Sequence, residues 1–300
     1  MSKQNGLLVG GVDGGGTTFK CCISTAEGEI LRSERFVTAR PEDTMDACSD
    51  FFVRCAKAGQ PPEGIGIACF GPLDIDPQSA NYGSILNTPK AGWSGFNVRN
   101  ELADRTGLPV SVDTDVNGAL GAEMAWGAAR GAKSAVYVTV GTGIGAGIFA
   151  NGDFLGRPSH PEFGHIRVTR HRDDIYGGSC SFHGDCLEGL TSAPAVEARF
   201  GPPELMAPDH PGWEIVACYL AQACISLTLT LRPEKIVLGG GLLLAPGLID
   251  HIREQYAAML NGYLDMPTDA VAQLIVLPGL GDNAGLMGGA KLALQSLVSQ

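Results

Sequence analysis

Residues 180–186 read Cys-Ser-Phe-His-Gly-Asp-Cys. Cys180, His183 and Cys186 thus place three soft or borderline metal ligands in one short loop. His165, in Glu162-Phe163-Gly164-His165, can supply a fourth, and His160 and His171 compete for that place. Four nitrogen and sulfur ligands with no open position describe a closed, tetrahedral structural zinc site. A loop this rich in glycine and charge needs such a staple to be ordered. Two other patterns suit phosphate. Asp13-Gly14-Gly15-Gly16-Thr17-Thr18 and Gly141-Thr142-Gly143-Ile144-Gly145 each follow an apolar run. Glycine lets backbone N–H groups approach phosphate oxygens, and threonine hydroxyls add donors. Neither turn carries the Lys-Ser/Thr of a P-loop. A third cluster, Gly239-Gly240-Gly241, also follows an apolar run. Asp13 stands at the mouth of the first turn, where it can orient hydrated Mg²⁺ or cap its own turn. Asp115, in Asp113-Thr114-Asp115-Val116-Asn117, can act as a general base toward a hydroxyl or as a helix N-cap.

The elements that must position these residues alternate in type. Leu7–Asp13 and Phe19–Ile23 read as strands around the first Gly/Thr turn, with a second turn at Glu27-Gly28-Glu29. Met45, Cys48, Phe51, Phe52 and Cys55 recur at helical spacing within 41–58. Strands follow at 64–69 and 110–115, and helices at 98–106 and 117–126. Ser134–Val140, the second Gly/Thr turn and Ile148-Phe149 repeat the plan of the N-terminus, which suggests internal duplication. A long helix over 213–230, strands at 235–238 and 274–277, and a C-terminal helix over about 285–300 complete the pattern. Strand–helix alternation makes the class α/β. We expect a small α/β lobe over 1–115 and a large one over 116–284. The larger carries the zinc insertion at about 160–190, and the last helix packs back on the smaller.

Composition narrows the function classes. The chain has 300 residues, 44% hydrophobic and 18% charged, which excludes a disordered chain or a coiled coil. Its net charge is −11, and no basic patch is visible, so no nucleic-acid partner is expected. No apolar stretch reads as long enough to cross a membrane. Residues Ser2 to Asn5 are polar, and the run from Leu7 is broken by Gly10, Gly11 and Asp13, so no export signal is expected. Nine cysteines, an odd number, then point to reduced thiols and a cytoplasmic setting. Seven of them read as small core residues, Cys180 and Cys186 being the exceptions.

Together these residues resemble the ROK family of sugar kinases, within the actin-like ATPase superfamily. The likeness runs through Val9–Lys20, Asp113–Glu123, Val138–Gly147, Glu162–Glu188, Val237–Gly241 and Gly281–Gly289. Its most specific part is Glu162-x-x-His165 followed by the cysteine-bearing loop ending in Glu188. The family usually has Cys-x-Cys-Gly-x-x-Gly-Cys-x-Glu there. This chain has Phe182 at the middle cysteine, carries His183, and is one residue shorter. With Ser159-His160-Pro161-Glu162 and Asn87-Thr88-Pro89-Lys90, the loop is similar to that of the bacterial fructokinases of the family.

The resemblance implies a two-lobed, ribonuclease-H-like α/β fold with Mg²⁺–ATP in a cleft between the lobes. It implies transfer of phosphate to the 6-hydroxyl of D-fructose, with Asp115 as the base. Thr114, where the family usually has Asn, falls at a sugar position and implies a shifted sugar preference. Glu162, His165, Glu188, Gly71 and Asn87 are implied around the sugar. Asp13, Gly15, Gly16, Thr17 and Thr18 match the first phosphate turn, Gly141, Thr142 and Gly143 the second, and Gly240 and Gly241 the adenosine segment. Zinc on His165, Cys180, His183 and Cys186 is implied to be structural, Mg²⁺ to be held by Asp13 through water, and the chain to be a homodimer. Glucokinase, mannokinase and N-acetylhexosamine kinase are the alternatives within the family. A non-catalytic sugar-responsive regulator is the alternative outside it, although the first strand begins by Leu7 and leaves no room for a DNA-binding module.

Overall fold

The computed structural model of the chain describes residues 6–88 and 90–298. Ser2 to Asn5, Pro89 of the Asn87–Lys90 segment and the end of the expected C-terminal helix lie outside the described residues. The elements run β1 (Leu8–Gly14), β2 (Thr18–Thr25), β3 (Ile30–Val37), α1 (Pro41–Lys57), β4 (Ile65–Cys69), α2 (Val98–Thr106), β5 (Val110–Thr114), α3 (Asp115–Trp126), β6 (Ala135–Val140), β7 (Ile144–Ala150) and β8 (Asp153–Phe154). Then come α4 (Leu187–Thr191), α5 (Ala193–Phe200), α6 (Gly212–Leu231), β9 (Lys235–Gly239), α7 (Leu248–Leu260), α8 (Thr268–Leu274), β10 (Ile275–Val276) and α9 (Ala284–Val298). The chain forms two compact units. Unit 1 holds Met1–Arg130, Phe154–His160 and Asp282–Gln300, and unit 2 holds Gly131–Asp153 and Pro161–Gly281. The sequence reading divides the chain at Asp115, between β5 and α3. The units divide after Arg130, because α3 packs on β4 and α9 of unit 1.

Unit 1 is built on a five-stranded sheet in the order β3-β2-β1-β4-β5. β1–β2 and β2–β3 are antiparallel, while β1–β4 and β4–β5 are parallel. β3, which the sequence reading leaves unassigned, is one of the two edge strands. Its Arg-Ser-Glu-Arg run is exposed, a charged edge that discourages pairing with another chain. α1 starts with Pro41 and has Glu42 and Asp43 in its first turn and Arg54 and Lys57 in its last, all matched to the helix dipole. Its buried face joins Phe19, Ile67 and Trp93 in the core, and Trp93 stacks on Phe19 with centroids 5.5 Å apart.

α9 lies unusually close to this sheet because both surfaces are stripped to glycine. A Cβ on Gly11 would come within 2.7 Å of Leu286 O and Ala290 N, and one on Gly66 within 2.6 Å of Ala293 N. From the helix side, a Cβ on Gly289 would lie 2.6 Å from Gly66 O. Gly288 faces α3 in the same way, 2.8 Å from Ala119 N. This backbone-to-backbone contact leaves no slack for a side chain.

Unit 2 repeats the topology. Its sheet runs β10-β9-β6-β7-β8, so β6 to β10 occupy the places of β1 to β5. β6–β7 is antiparallel, and β6–β9 and β9–β10 are parallel. The duplication suggested by the two Gly/Thr turns is thus a duplication of strand order. α6 is 20 residues long and apolar enough to span a membrane by length and composition. That corrects the expectation that no stretch is long enough. Its apolar surface is used within unit 2, where Trp213, Val216, Tyr219, Leu220 and Leu227 are buried. A buried polar network ties the preceding loop to this helix: Tyr219 Oη donates to Asp174 Oδ2 (2.8 Å), and Arg199 pairs with the same oxygen (2.7 Å). All nine cysteines are free thiols, and the seven read as core residues are buried.

The close seat of α9 predicts that Gly289→Ala costs about 1–3 kcal/mol through overpacking. Urea unfolding should show a lower midpoint at unchanged slope, and an unchanged midpoint would refute the contact.

Candidate active site

In unit 1 the parallel strands bring the acids together at their carboxyl ends. Register aligns Asp13 with Ala68 and Asp113, and Gly14 with Cys69 and Thr114. Ligands of open α/β sheets bind at such strand ends. β5 stops at Thr114, which is the N-cap of α3: its Oγ1 accepts from Asn117 N at 3.2 Å. The capping role that the sequence leaves open for Asp115 therefore belongs to Thr114. Asp115 is the first helical residue, and its Oδ1 accepts from the Val116 N–H at 2.9 Å. Its carboxylate is partly reachable from solvent but surrounded by protein. Burial pushes it up to about 6, helped by the nearby charge of Asp13 and opposed by backbone donors. Asp13 is also raised by burial, with Lys20 pulling it back. The Lys20 ammonium lies 3.4 Å from Asp13 Oδ2.

The turn after β1 is held from outside. Gly15 N donates to Thr18 O (3.0 Å), Thr38 Oγ1 donates to Gly15 O (2.8 Å), and Lys90 Nζ donates to Gly16 O. Gly16 and Thr17 remain exposed, and a Cβ on Gly16 would meet open space. Gly71 and Asn87 are exposed in loops of the same unit. Sequence reasoning missed the support beneath Asp115. Asp113 is buried and binds Thr114 N (2.7 Å) and Asn117 Nδ2 (2.8 Å) through Oδ1, and Arg157 (2.6 Å) through Oδ2. Arg157 is 44 residues away in the chain, so no local pattern marks the pair.

In unit 2 the turn Gly141–Gly143 links β6 to β7. Gly141 N donates to Gly143 O at 3.0 Å, and Gly141 O accepts from Ala193 N at 2.7 Å. Thr142 is exposed at its tip. Glu188 reaches this turn: its Oε2 accepts from Ile144 N at 2.9 Å. Gly240 follows β9 with φ 91°, a left-handed position that suits glycine, and packs against Val140. Gly241 beside it is exposed.

The ligand atoms of His165, Cys180, His183 and Cys186 lie within 4.8 Å of one another. His165 Nδ1 is 3.8 Å from Cys180 Sγ and 3.5 Å from Cys186 Sγ, and His183 Nδ1 is 3.7 Å from Cys180 Sγ. Tetrahedral zinc with ordinary bond lengths sets sulfur-to-nitrogen edges of about 3.6 Å. The donor set therefore fits zinc. Of the histidines left open by the sequence, His165 sits in the cluster. His171 instead accepts the Asp173 N–H through Nδ1 at 3.2 Å. Glu162 is exposed at the start of the turn that presents His165.

The ROK family model matches residues 9–296. The chain belongs to the ROK family. It is 40% identical to a fructokinase of Zymomonas mobilis over 297 residues, covering 97% of this chain and 98% of that one. It is also 40% identical to a fructokinase of Lactococcus lactis over 279 residues, covering 92% and 93%. Among solved structures, a ROK family glucokinase from Streptomyces griseus, in complex with glucose and AMPPNP, superposes with a TM-score of 0.77 at 27% identity. The overlap covers 96% of this chain and 99% of that one. The fold is the actin-like ATPase fold of the ROK sugar kinases, as the resemblance implies.

Two outcomes follow from this geometry. Elemental analysis should find about one zinc per chain, lost in Cys186→Ser and retained in His171→Ala; zinc retained in the serine variant would contradict the ligand set. Asp115 has a folded pKa above the unfolded value, so its ionisation costs stability as pH rises through about 6. Asp115→Asn should therefore be at least as stable as wild type at pH 8 by thermal unfolding, and a marked loss would show that the carboxylate is structural.

Proposed function

We propose that the chain is a fructokinase, transferring the γ-phosphoryl group of ATP to the 6-hydroxyl of D-fructose. The observation that carries the chemistry is Asp115, a carboxylate at the carboxyl end of parallel strands whose burial raises it to about 6. A base poised near the working pH can take a hydroxyl proton as the new O–P bond forms. The two likenesses of 40% to fructokinases support fructose over other hexoses.

The residues divide the work. Asp115 accepts the proton of the attacking hydroxyl, and Asp113 and Arg157 fix the strand end from which α3 presents it. The Gly15–Thr18 and Gly141–Gly143 turns are each assigned to phosphate, through N–H groups other than those of Gly15 and Gly141, which close the turns themselves, and through the threonine hydroxyls, and Gly240 and Gly241 are assigned to the adenosine. Asp13 would hold Mg²⁺ through water, and that ion supplies charge neutralisation on the phosphates. Thr114, Glu162, Glu188, Gly71 and Asn87 are assigned to the sugar. His165 joins them, because its Nδ1 turns to the thiols and leaves Nε2 for a hydroxyl. Zinc on His165, Cys180, His183 and Cys186 would be structural. The free buried thiols support a reducing, cytoplasmic setting, and the family resemblance supports a homodimer.

A coupled ADP-release assay with Mg²⁺–ATP tests the reading, with fructose, mannose, glucose, N-acetylglucosamine and N-acetylmannosamine side by side. Fructose should dominate kcat/KM. The value should rise with pH through about 6, as one group loses its proton, and fall by about 10²–10⁴-fold in Asp115→Asn. A different dominant hexose would overturn the substrate. An Asp115→Asn variant with normal turnover would overturn the base.

A further inference from the structure

The Glu188 carboxylate does more than end the cysteine loop. Its Oε2 accepts the Ile144 N–H at 2.9 Å, at the point where the Gly141–Gly143 turn enters β7. Gly143 faces the same oxygen so closely that a Cβ there would lie 2.9 Å from it. The next helix secures the other end of the turn, since Ala193 N donates to Gly141 O at 2.7 Å. Both anchors belong to one short stretch of chain. Cys186, a member of the ligand cluster, is the N-cap of α4, Glu188 lies in its first turn, and Ala193 opens α5. The entry to α4 is also tied to the segment that carries His165, because Leu187 N donates to Ile166 O at 3.0 Å. Cluster, α4 and turn thus form one continuous path within unit 2.

We propose that Glu188 is a positioning residue for the phosphate turn at Gly141–Gly143, and that the His165, Cys180, His183 and Cys186 cluster holds this turn in shape through α4. The proposal rests on the reading of that turn as a nucleotide site. It separates two roles that a sugar-contacting Glu188 would merge. A residue that touches only sugar changes the sugar KM. A residue that orders the turn changes nucleotide affinity when no sugar is present.

The test uses the whole 300-residue chain, zinc-loaded, and Mg²⁺–AMPPNP without sugar, read by calorimetry. Hydrogen exchange of the Ile144 amide and zinc content are measured on the same samples. Glu188→Ala should keep its zinc, bind Mg²⁺–AMPPNP about tenfold more weakly and exchange Ile144 at least about tenfold faster. Glu188→Gln, whose amide oxygen can accept the same N–H, should lie between that variant and wild type. Wild type stripped of metal by a chelator should reproduce the faster exchange at Ile144 and the weaker nucleotide binding. If Glu188→Ala does not fold, Glu188→Gln tests the role of Glu188 and the stripped wild type tests the link to the cluster. Unchanged nucleotide binding and Ile144 exchange in Glu188→Ala, with only the fructose KM raised, would overturn the proposal. Stripped wild type with an unaltered turn would overturn the link to the cluster. Failure of the wild type to bind Mg²⁺–AMPPNP would remove the nucleotide reading itself, an outcome distinct from both.

Discussion

Burial of the Asp115 carboxylate is the constraint around which unit 1 is arranged. Taking an ionisable group out of water favours its neutral form, and here that raises it to about 6. The same unit seats α9 at backbone distance on β1 and β4. Gly11, Gly66, Gly288 and Gly289 permit that seat. A larger residue at any of these points would overlap the backbone of the facing element. Thr114 frees Asp115 from capping duty by taking it over, so the carboxylate is oriented by backbone donors at the start of α3, the Val116 N–H among them. Asp113 is spent on holding this junction, paired with Arg157. Three consecutive residues thus do three different things: anchor, cap and, in the proposed reaction, accept a proton.

Unit 2 solves a related problem by other means. Its Gly141–Gly143 turn holds the same place in the strand order as the Gly/Thr turn of unit 1. The turn of unit 1 is braced by a threonine and a lysine from loops nearby. The turn of unit 2 is braced by α4 and α5, and α4 begins on a cysteine of the ligand cluster. A small, glycine-rich loop with few apolar contacts has little folding energy of its own, and metal ligation is an efficient way to order it. The cluster donors are set at distances that suit zinc, and the helix that leaves them is short.

Much of this is legible in the residues themselves. The apolar strands ending in Gly/Thr turns and the Cys-x-x-His-x-x-Cys loop are local patterns that the structure places on the expected elements, whereas Asp115, read as the end of a strand, is the first residue of α3. The two turns announce the duplication, although only the strand order makes it visible. What escapes the sequence is whatever depends on distance along the chain. Arg157 meets Asp113 across 44 residues, and Glu188 meets Ile144 across 44 as well. No spacing rule reaches that far. β3 escapes for another reason: an exposed, charged edge strand lacks the alternation that marks a half-buried one. α6 is legible as a long helix, but its apolar length is underestimated, since a core helix buried on most sides has the composition of a membrane span.

The most direct measurement is the ionisation of Asp115 itself, followed by carbon-13 NMR of the side-chain carboxyl in the unliganded chain, with Asp115→Asn for assignment. A carboxyl titrating at about 6 is the result required by a buried base ready to take a hydroxyl proton. A carboxyl titrating near the ordinary value of about 4 would mean that water reaches it freely, and the desolvation on which the proposed chemistry rests would not exist.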